Sequence, residues 1–337
     1  MYYSPNKILN KKCIFNFVLG ARGYGKTYSS KKTGIIDYLE NQNEFVYVRR
    51  YKDELALSMN TFFKDLKKDK YFNQLSLSTG KVNKLDCFKV NDEVMGYGIA
   101  LSTSSIMKSV SFPNVKLIIF DEFLIDKGNY RYLQSEVIKF LELYETIARD
   151  REDVQVLFLG NSISSVNPYF LYFDLDVENQ TTEFKRYKEG TICVQLADSK
   201  EFSEHKNYTQ FGKLIEGTPY GNYAINNQFL RDNLDFIEDR GKRCRFWSAI
   251  QFEDEKFGIW YKADNDHFVI SEKFDPSTKI IYAISIDSHN PDSYYIDIRK
   301  NPLISLIINN YKSGKLGFEN QKIKTLFMKF IKRCISY

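Results

Sequence analysis

Near the start of the chain an apolar run, Ile14-Phe15-Asn16-Phe17-Val18-Leu19, passes directly into Gly20-Ala21-Arg22-Gly23-Tyr24-Gly25-Lys26-Thr27. No other stretch restricts the possible folds as much. The run has the length of one buried strand, and the octet fits G-x-x-x-x-G-K-[ST]. Each residue type has a physical task in such a loop. Gly20, Gly23 and Gly25 admit backbone angles closed to residues with a Cβ, so successive amides can converge on one anion. Lys26 adds a point charge within reach of β- and γ-phosphates, and Thr27 adds a hydroxyl for Mg²⁺. The helix expected over Tyr28–Leu39 contributes its positive end. Strand, phosphate-cradling loop and helix together predict an α/β fold that binds a nucleotide with Mg²⁺.

Lys116-Leu117-Ile118-Ile119-Phe120-Asp121-Glu122 has the form of the second half of such a site, an apolar strand ending in two acids. Ligands of open parallel sheets bind at the carboxyl edge, where this strand delivers Asp121 as a metal ligand. Glu122 beside it is placed to polarise an attacking water. The distance in sequence between Lys26 and Asp121 leaves room for an extra strand between the two motifs, as in RecA-like ATPases. Phe45-Val46-Tyr47-Val48 completes a βαβ unit. Asp53–Lys70 reads as a charged helix, and Leu75–Leu101 as hairpin material with Gly80 and Gly96 near the bends. Within it Asn83-Lys84-Leu85-Asp86 matches the guanine-reading N-K-x-D. It precedes the metal aspartate where a GTPase would have it follow, so it is read as coincidence.

Tyr132–Ala148 is amphipathic and expected to be a helix, ending in Arg149-Asp150-Arg151. Val154–Ser162 is a further buried strand. Asn161 at its polar end suits γ-phosphate sensing or water alignment and equally the plain start of a turn; Arg149 suits a catalytic role and equally a solvated helix end. Tyr169–Phe173 and Thr191–Leu196 are expected to finish the sheet.

At 337 residues the chain exceeds a typical single core. Polar Lys200–Asn222 connects to a second run of strand-like segments: Phe246–Phe252, Phe257–Tyr261, His267–Ser271, Ile280–Asp287 and Tyr294–Ile298. Helical stretches Leu303–Tyr311 and Gln321–Ile335 follow. The expected organisation is residues 1–199, a linker over 200–235, and a smaller α/β domain over 236–337. Five scattered cysteines without a C-x-x-C pair, and three histidines, argue against zinc and for reduced thiols. The first residues lack the apolar core of a signal peptide, and no run approaches the ~18 apolar residues of a membrane span, so no membrane partner is expected. The net charge is +5, with a basic stretch from Tyr311 to Tyr337 that suits a solvated helix face or a polyanion contact.

Taken together these motifs resemble one family, the DNA-packaging ATPases of small phi29-like tailed phages, relatives of large terminase ATPases. The resemblance is carried by Phe17–Thr27, Tyr47–Lys52 and Phe120–Phe123, and continues through Asn167–Leu171, Phe211–Gly217 and Asp275–Lys279. It implies a RecA-like P-loop ATPase domain of the ASCE branch with a parallel sheet, a short linker and a smaller RNase H-like domain. It further implies a homo-oligomeric ring, a pentamer, docked on the portal of a viral prohead in the host cytoplasm. The ring would use ATP hydrolysis to drive double-stranded DNA inward, with a packaging RNA as a candidate partner. The resemblance implies that Arg149 is the arginine finger acting in trans, Lys108 a second trans-acting basic residue, and Lys52 and Lys127 positions that approach DNA. Arg22 and Arg151 compete with Arg149 for the finger role. Asp287, Asp292 and Asp297 offer some of the carboxylates that a two-metal nuclease needs, though the resemblance implies a degenerate nuclease used for docking.

Two other classes fit parts of the pattern: a P-loop kinase, and a nucleotide-gated scaffold without turnover. Glu122 beside Asp121 argues against both, because neither needs a water-activating carboxylate.

Overall fold

The computed structural model describes the chain apart from residues 1–2, 126–131, 162–166, 176, 178–179, 198–201, 203, 205–207, 217, 219–237, 242, 253–254, 279, 285, 287–288, 298–300, 314, 321–322, 325, 329 and 332–337. It divides into two compact units, one made of residues 1–130, 135–167 and 175–230, the other of 131–134, 168–174 and 231–337. Most of the expected linker over 200–235 lies outside the described residues.

In the first unit a short helix α1 (Asn6–Leu9) precedes strand β1 (Phe15–Gly20), helix α2 (Lys26–Asn41), strand β2 (Glu44–Arg49) and helix α3 (Lys52–Thr61). Three strands follow, β3 (Leu77–Val82), β4 (Leu85–Val90) and β5 (Glu93–Ala100). Then come β6 (Val115–Asp121), helix α4 (Glu136–Ala148), β7 (Gln155–Asn161), β8 (Phe184–Tyr187) and β9 (Ile192–Ala197). All nine strands form one sheet in the order β3-β4-β5-β2-β6-β7-β1-β9-β8. The six central strands, from β5 to β9, run parallel, and β3, β4 and β8 are antiparallel additions. β7 separates the loop strand β1 from the acid-bearing β6, which is the extra strand anticipated between the two motifs. Parallel strands covered on both faces read as continuous apolar runs, and β1 and β7 are buried along nearly their whole length. On one face Phe17 stacks on Phe158 at 4.3 Å and Phe120 on Phe140 at 5.4 Å, fastening α4 to the sheet.

Four local expectations change. The helix from Asp53 stops at Thr61, where Phe62, Phe63 and Leu66 turn into the core, and only a single 3₁₀ turn, Leu66–Lys68, follows. The helix expected from Tyr132 begins at Glu136. The bends of the β3–β5 meander lie at Asn83-Lys84 and Asn91-Asp92, all four with positive φ, while Gly80 and Gly96 sit inside strands. This pairing of left-handed residues is the geometry of a two-residue hairpin loop, so the N-K-x-D match is a turn. Tyr169–Phe173, expected as a strand, is instead helix α5 (Pro168–Tyr172) and belongs to the second unit. Proline in a first helical turn costs no hydrogen bond and fixes φ for the helix.

The second unit carries strands β10 (Cys244–Phe252), β11 (Glu255–Lys262), β12 (His267–Ser271), β13 (Ile281–Ala283), β14 (Tyr294–Tyr295) and β15 (Leu316–Phe318) in the order β14-β13-β10-β11-β12-β15. β10, β11 and β12 form an antiparallel meander, and β13 and β14 add in parallel on the other side of β10. That is the strand arrangement of an RNase H-like domain. A helix over Pro302–Lys312, capped by the Asn301 side chain, follows. Ile250, Ile259, Val269, Ile304, Phe318, Phe327 and Ile331 are all buried in this unit. The whole is thus α/β in both parts, as expected.

Candidate active site

The carboxyl ends of β1, β6 and β7 open on one cleft of about 220 Å³, lined by Arg22, Gly23, Gly25, Lys26, Thr27, Tyr28, Asp121, Glu122, Leu159, Gly160 and Asn161. The loop leaves β1 at Gly20, where an added Cβ would lie 2.7 Å from the Ala197 carbonyl oxygen of the neighbouring strand. Gly23 and Gly25 hold φ of 86° and 88°, values that side chains disfavour. Gly25 is also the N-cap of α2. Ala21 is buried beneath the loop, and Tyr24 packs edge-on against Tyr3 outside the cleft lining.

Lys26 is almost wholly buried, and its ammonium donates to the carbonyls of Gly20 (2.7 Å) and Ala21 (2.8 Å) and to Asn161 Oδ1 (3.3 Å). The bond from Lys26 brings Asn161, at the end of β7, into the site. Thr27 Oγ1 donates to Asp121 Oδ1 at 2.9 Å, so the two expected metal ligands are adjacent. A hydroxyl and a carboxylate are oxygen donors of the kind Mg²⁺ takes. With a glycine cradle that opens on the cleft, the residues present fit a Mg²⁺–nucleoside triphosphate.

Four further residues belong to this arrangement, none of them assigned a role from sequence. Tyr47 on β2 donates from its hydroxyl to Asp121 Oδ2 at 2.6 Å; burial, with Asp121 beside it, raises that phenol well above its usual value and keeps it a donor. Arg49 at the end of β2 reaches Glu122 Oε2 at 2.6 Å and Asp121 Oδ2 at 3.4 Å. Burial works against the Arg49 cation, but Asp121 and Glu122 outweigh it and hold the charge more firmly. Arg50, the next residue, makes a two-pronged bond to Glu136 at 2.7 and 3.0 Å. Glu122 itself has φ of 57° and a carboxylate largely open to solvent.

The expected trans-acting residues stand elsewhere. Lys108 is exposed after a 3₁₀ segment and pairs with Glu142 at 3.4 Å. Arg149 is exposed at the C-cap of α4, with φ of 50° and no side-chain bond among the described residues. Arg151 differs. Its guanidinium donates to the carbonyls of Phe112, Pro113, Val115, Ile147 and Ala148, so it staples the end of α4 to the start of β6. That use ties the Arg151 guanidinium to backbone of its own chain. Lys52 is exposed at the first position of α3, and Lys127 lies outside the described residues. So does Asp287, while Asp292 and Asp297 are exposed; no group of three or more metal-ligating side chains occurs among the described residues. Nor, among them, is any helix long and apolar enough to cross a membrane.

Comparison with known proteins gives a consistent result. The model of the podovirus DNA encapsidation protein family matches residues 1–335. The DNA packaging protein of Bacillus phage phi29 is 36% identical over 327 residues, 97% of this chain and 96% of its own length. Among solved structures, the phi29 viral genome packaging motor assembly matches with a TM-score of 0.58 and 35% identity, covering 99% of both chains. The N-terminal domain of the phi29 DNA packaging ATPase, 38% identical, matches 60% of this chain and 98% of its own with a TM-score of 0.52.

Proposed function

The chain belongs to the podovirus DNA encapsidation protein family, and we propose that it is the ATP-hydrolysing subunit of a motor that packages double-stranded DNA into a viral prohead. One observation carries the enzymatic part: Lys26, Thr27, Asp121, Glu122 and Asn161, drawn from three parallel strands, line a single cleft under a glycine-rich loop. In this reading the loop amides and Lys26 hold the phosphates, while Thr27 and Asp121 hold Mg²⁺. When bound, Mg²⁺ neutralises charge on the phosphate oxygens. Glu122 takes the proton of the attacking water, and Asn161 aligns with Lys26 beside the terminal phosphate. The Arg49–Glu122 ion pair has to loosen for the carboxylate to act as a base.

Arg149 and Lys108 do not line the cleft, which suits service in a neighbour's site. The motor is then a ring, a pentamer by its resemblance, in which Arg149 of one subunit offsets charge developing in the next. Lys52 and Lys127 grip DNA through phosphates, without reading sequence. The expected domains, residues 1–199 and 236–337 joined through 200–235, divide the labour: hydrolysis in the first, docking to portal or packaging RNA in a second that is inactive as a nuclease. The ring works in the host cytoplasm.

The test is ATP turnover against protein concentration, with and without double-stranded DNA, for wild type and Arg149→Ala. Turnover that rises with concentration and DNA and falls about 10³-fold or more in the variant supports the reading. Rescue in a mixture by Glu122→Gln subunits, which still carry Arg149, places the finger in trans. Turnover indifferent to concentration, DNA and Arg149 overturns the motor reading.

A further inference from the structure

Arg50 and Glu136 form an ion pair that the catalytic scheme does not use, and both are about 2% exposed. Replacing such a pair by apolar side chains is often neutral or stabilising, so stability alone is a weak reason for it. The rest of the Arg50 fork suggests a better one. Its Nη1 donates to the Glu122 carbonyl at 3.1 Å and its Nη2 to the Phe123 carbonyl at 2.5 Å. The guanidinium also lies 5.6 Å over the Phe120 ring. Arg50 therefore holds the two successive carbonyls that follow the Glu122 Cα and is absent from the cleft lining.

Glu122 needs such a hold. A non-glycine residue at positive φ is strained and persists only where its surroundings over-determine it. The Phe123 amide, bonded to Leu159 O at 3.2 Å, supplies one restraint; the Arg50 fork supplies two more. Glu136 fixes the fork in turn. It is the first residue of α4, where the helix dipole favours its charge, and it accepts both prongs.

We infer that Arg50 and Glu136 are a positioning pair that holds Glu122 in its left-handed conformation and so aims its carboxylate for catalysis. The pair also joins the β6 turn to the helix whose far end bears Arg149. The inference rests on the reading of Glu122 as the base, and its test separates the two.

The experiment measures kcat and KM for Mg-ATP, binding of a fluorescent ADP analogue, and the thermal midpoint of the full chain. The variants are Arg50→Lys, the double Arg50→Met/Glu136→Met, and Glu122→Gln as a control. The double variant should fold, bind the analogue as wild type does, and lose about 10- to 100-fold in kcat with KM unchanged, since a small misplacement of a reacting group costs that much. Arg50→Lys keeps the charge opposite Glu136 but cannot reach both carbonyls, and should fall between. A folded double variant with wild-type kcat overturns the inference, and so does a loss that appears in KM alone. Should the double variant not fold, wild-type kcat in Arg50→Lys is the overturning result. Wild-type turnover that survives Glu122→Gln defeats instead the role assigned to Glu122, and the pair's catalytic role with it.

Discussion

Arg149 and Arg151 are two residues apart, and the structure gives them opposite surroundings. Arg151→Ala removes a guanidinium bound to five backbone carbonyls, two of them on the approach to β6 and one on β6 itself. It should cost on the order of 2–3 kcal/mol in denaturant unfolding, because partly buried acceptors lose their donors. Arg149→Ala, at an exposed position, should stay within about 0.5 kcal/mol of wild type and lose turnover instead. A large stability loss in Arg149→Ala would contradict this division. Tyr47→Phe deletes one donor to Asp121 and leaves the ring packed against Phe62 and Phe88. A cost of about 2 kcal/mol is expected, since the bond is to a charged acceptor, and an unchanged unfolding midpoint would show that Thr27 and Arg49 suffice. Lys26, Thr27, Asp121 and Glu122 were legible in the sequence because each sits at a fixed offset in a local pattern. Tyr47, Arg49, Arg50 and Glu136 were not. Arg50 and Glu136 are 86 positions apart, and only the fold sets the residue after β2 against the first residue of α4. Two consecutive arginines carry no period that says one meets Asp121 and Glu122 and the other Glu136.

Among the elements, α2 has a link to the loop after α3 whose pH dependence can be signed. Tyr28 and Lys32 on α2 donate to Asp69 at 3.0 and 2.6 Å. The Lys32 bond, then the Tyr71 amide and the Tyr28 hydroxyl, lower the Asp69 carboxyl to about 2. A carboxyl depressed below its unfolded value near 4 contributes stability above that pH, and the contribution is lost as pH falls toward 2. Asp69→Asn should therefore flatten the slope of unfolding free energy against pH between about 4 and 2, with little change at pH 7 in that slope. An unaltered slope would mean the link breaks before it titrates. Element type was readable wherever periodicity was long, as in β1, β6 and α4. It failed for Tyr169–Phe173, since five apolar residues fit a buried strand or a helix equally and only Pro168 ahead of them favoured the helix. It failed again at the meander bends, where two glycines drew attention from the Asn-Lys and Asn-Asp pairs that make the turns.

Across the described residues, the fold keeps three of the thiols out of reach. Cys13, Cys87 and Cys193 are buried in the first unit, and burial raises all three, Cys193 to about 11. Native protein at pH 8 should react slowly with a thiol reagent at these positions and release them on denaturation; fast reaction of all five cysteines in the folded state would refute the burial. The two-unit division brings a different consequence. The second unit takes residues 168–174 from the middle of the chain and most of its substance from beyond 231. Tyr169 and Phe170, both buried in the finished molecule, leave the ribosome before the roughly 160 residues that follow Asp174. At bacterial rates of about 5–20 residues per second that is a wait of roughly 10–30 seconds with two large aromatic rings uncovered. The nascent chain is thus most vulnerable to chaperone capture or misassociation before its last third is made, and a chain cut near residue 199 would prolong that exposure indefinitely.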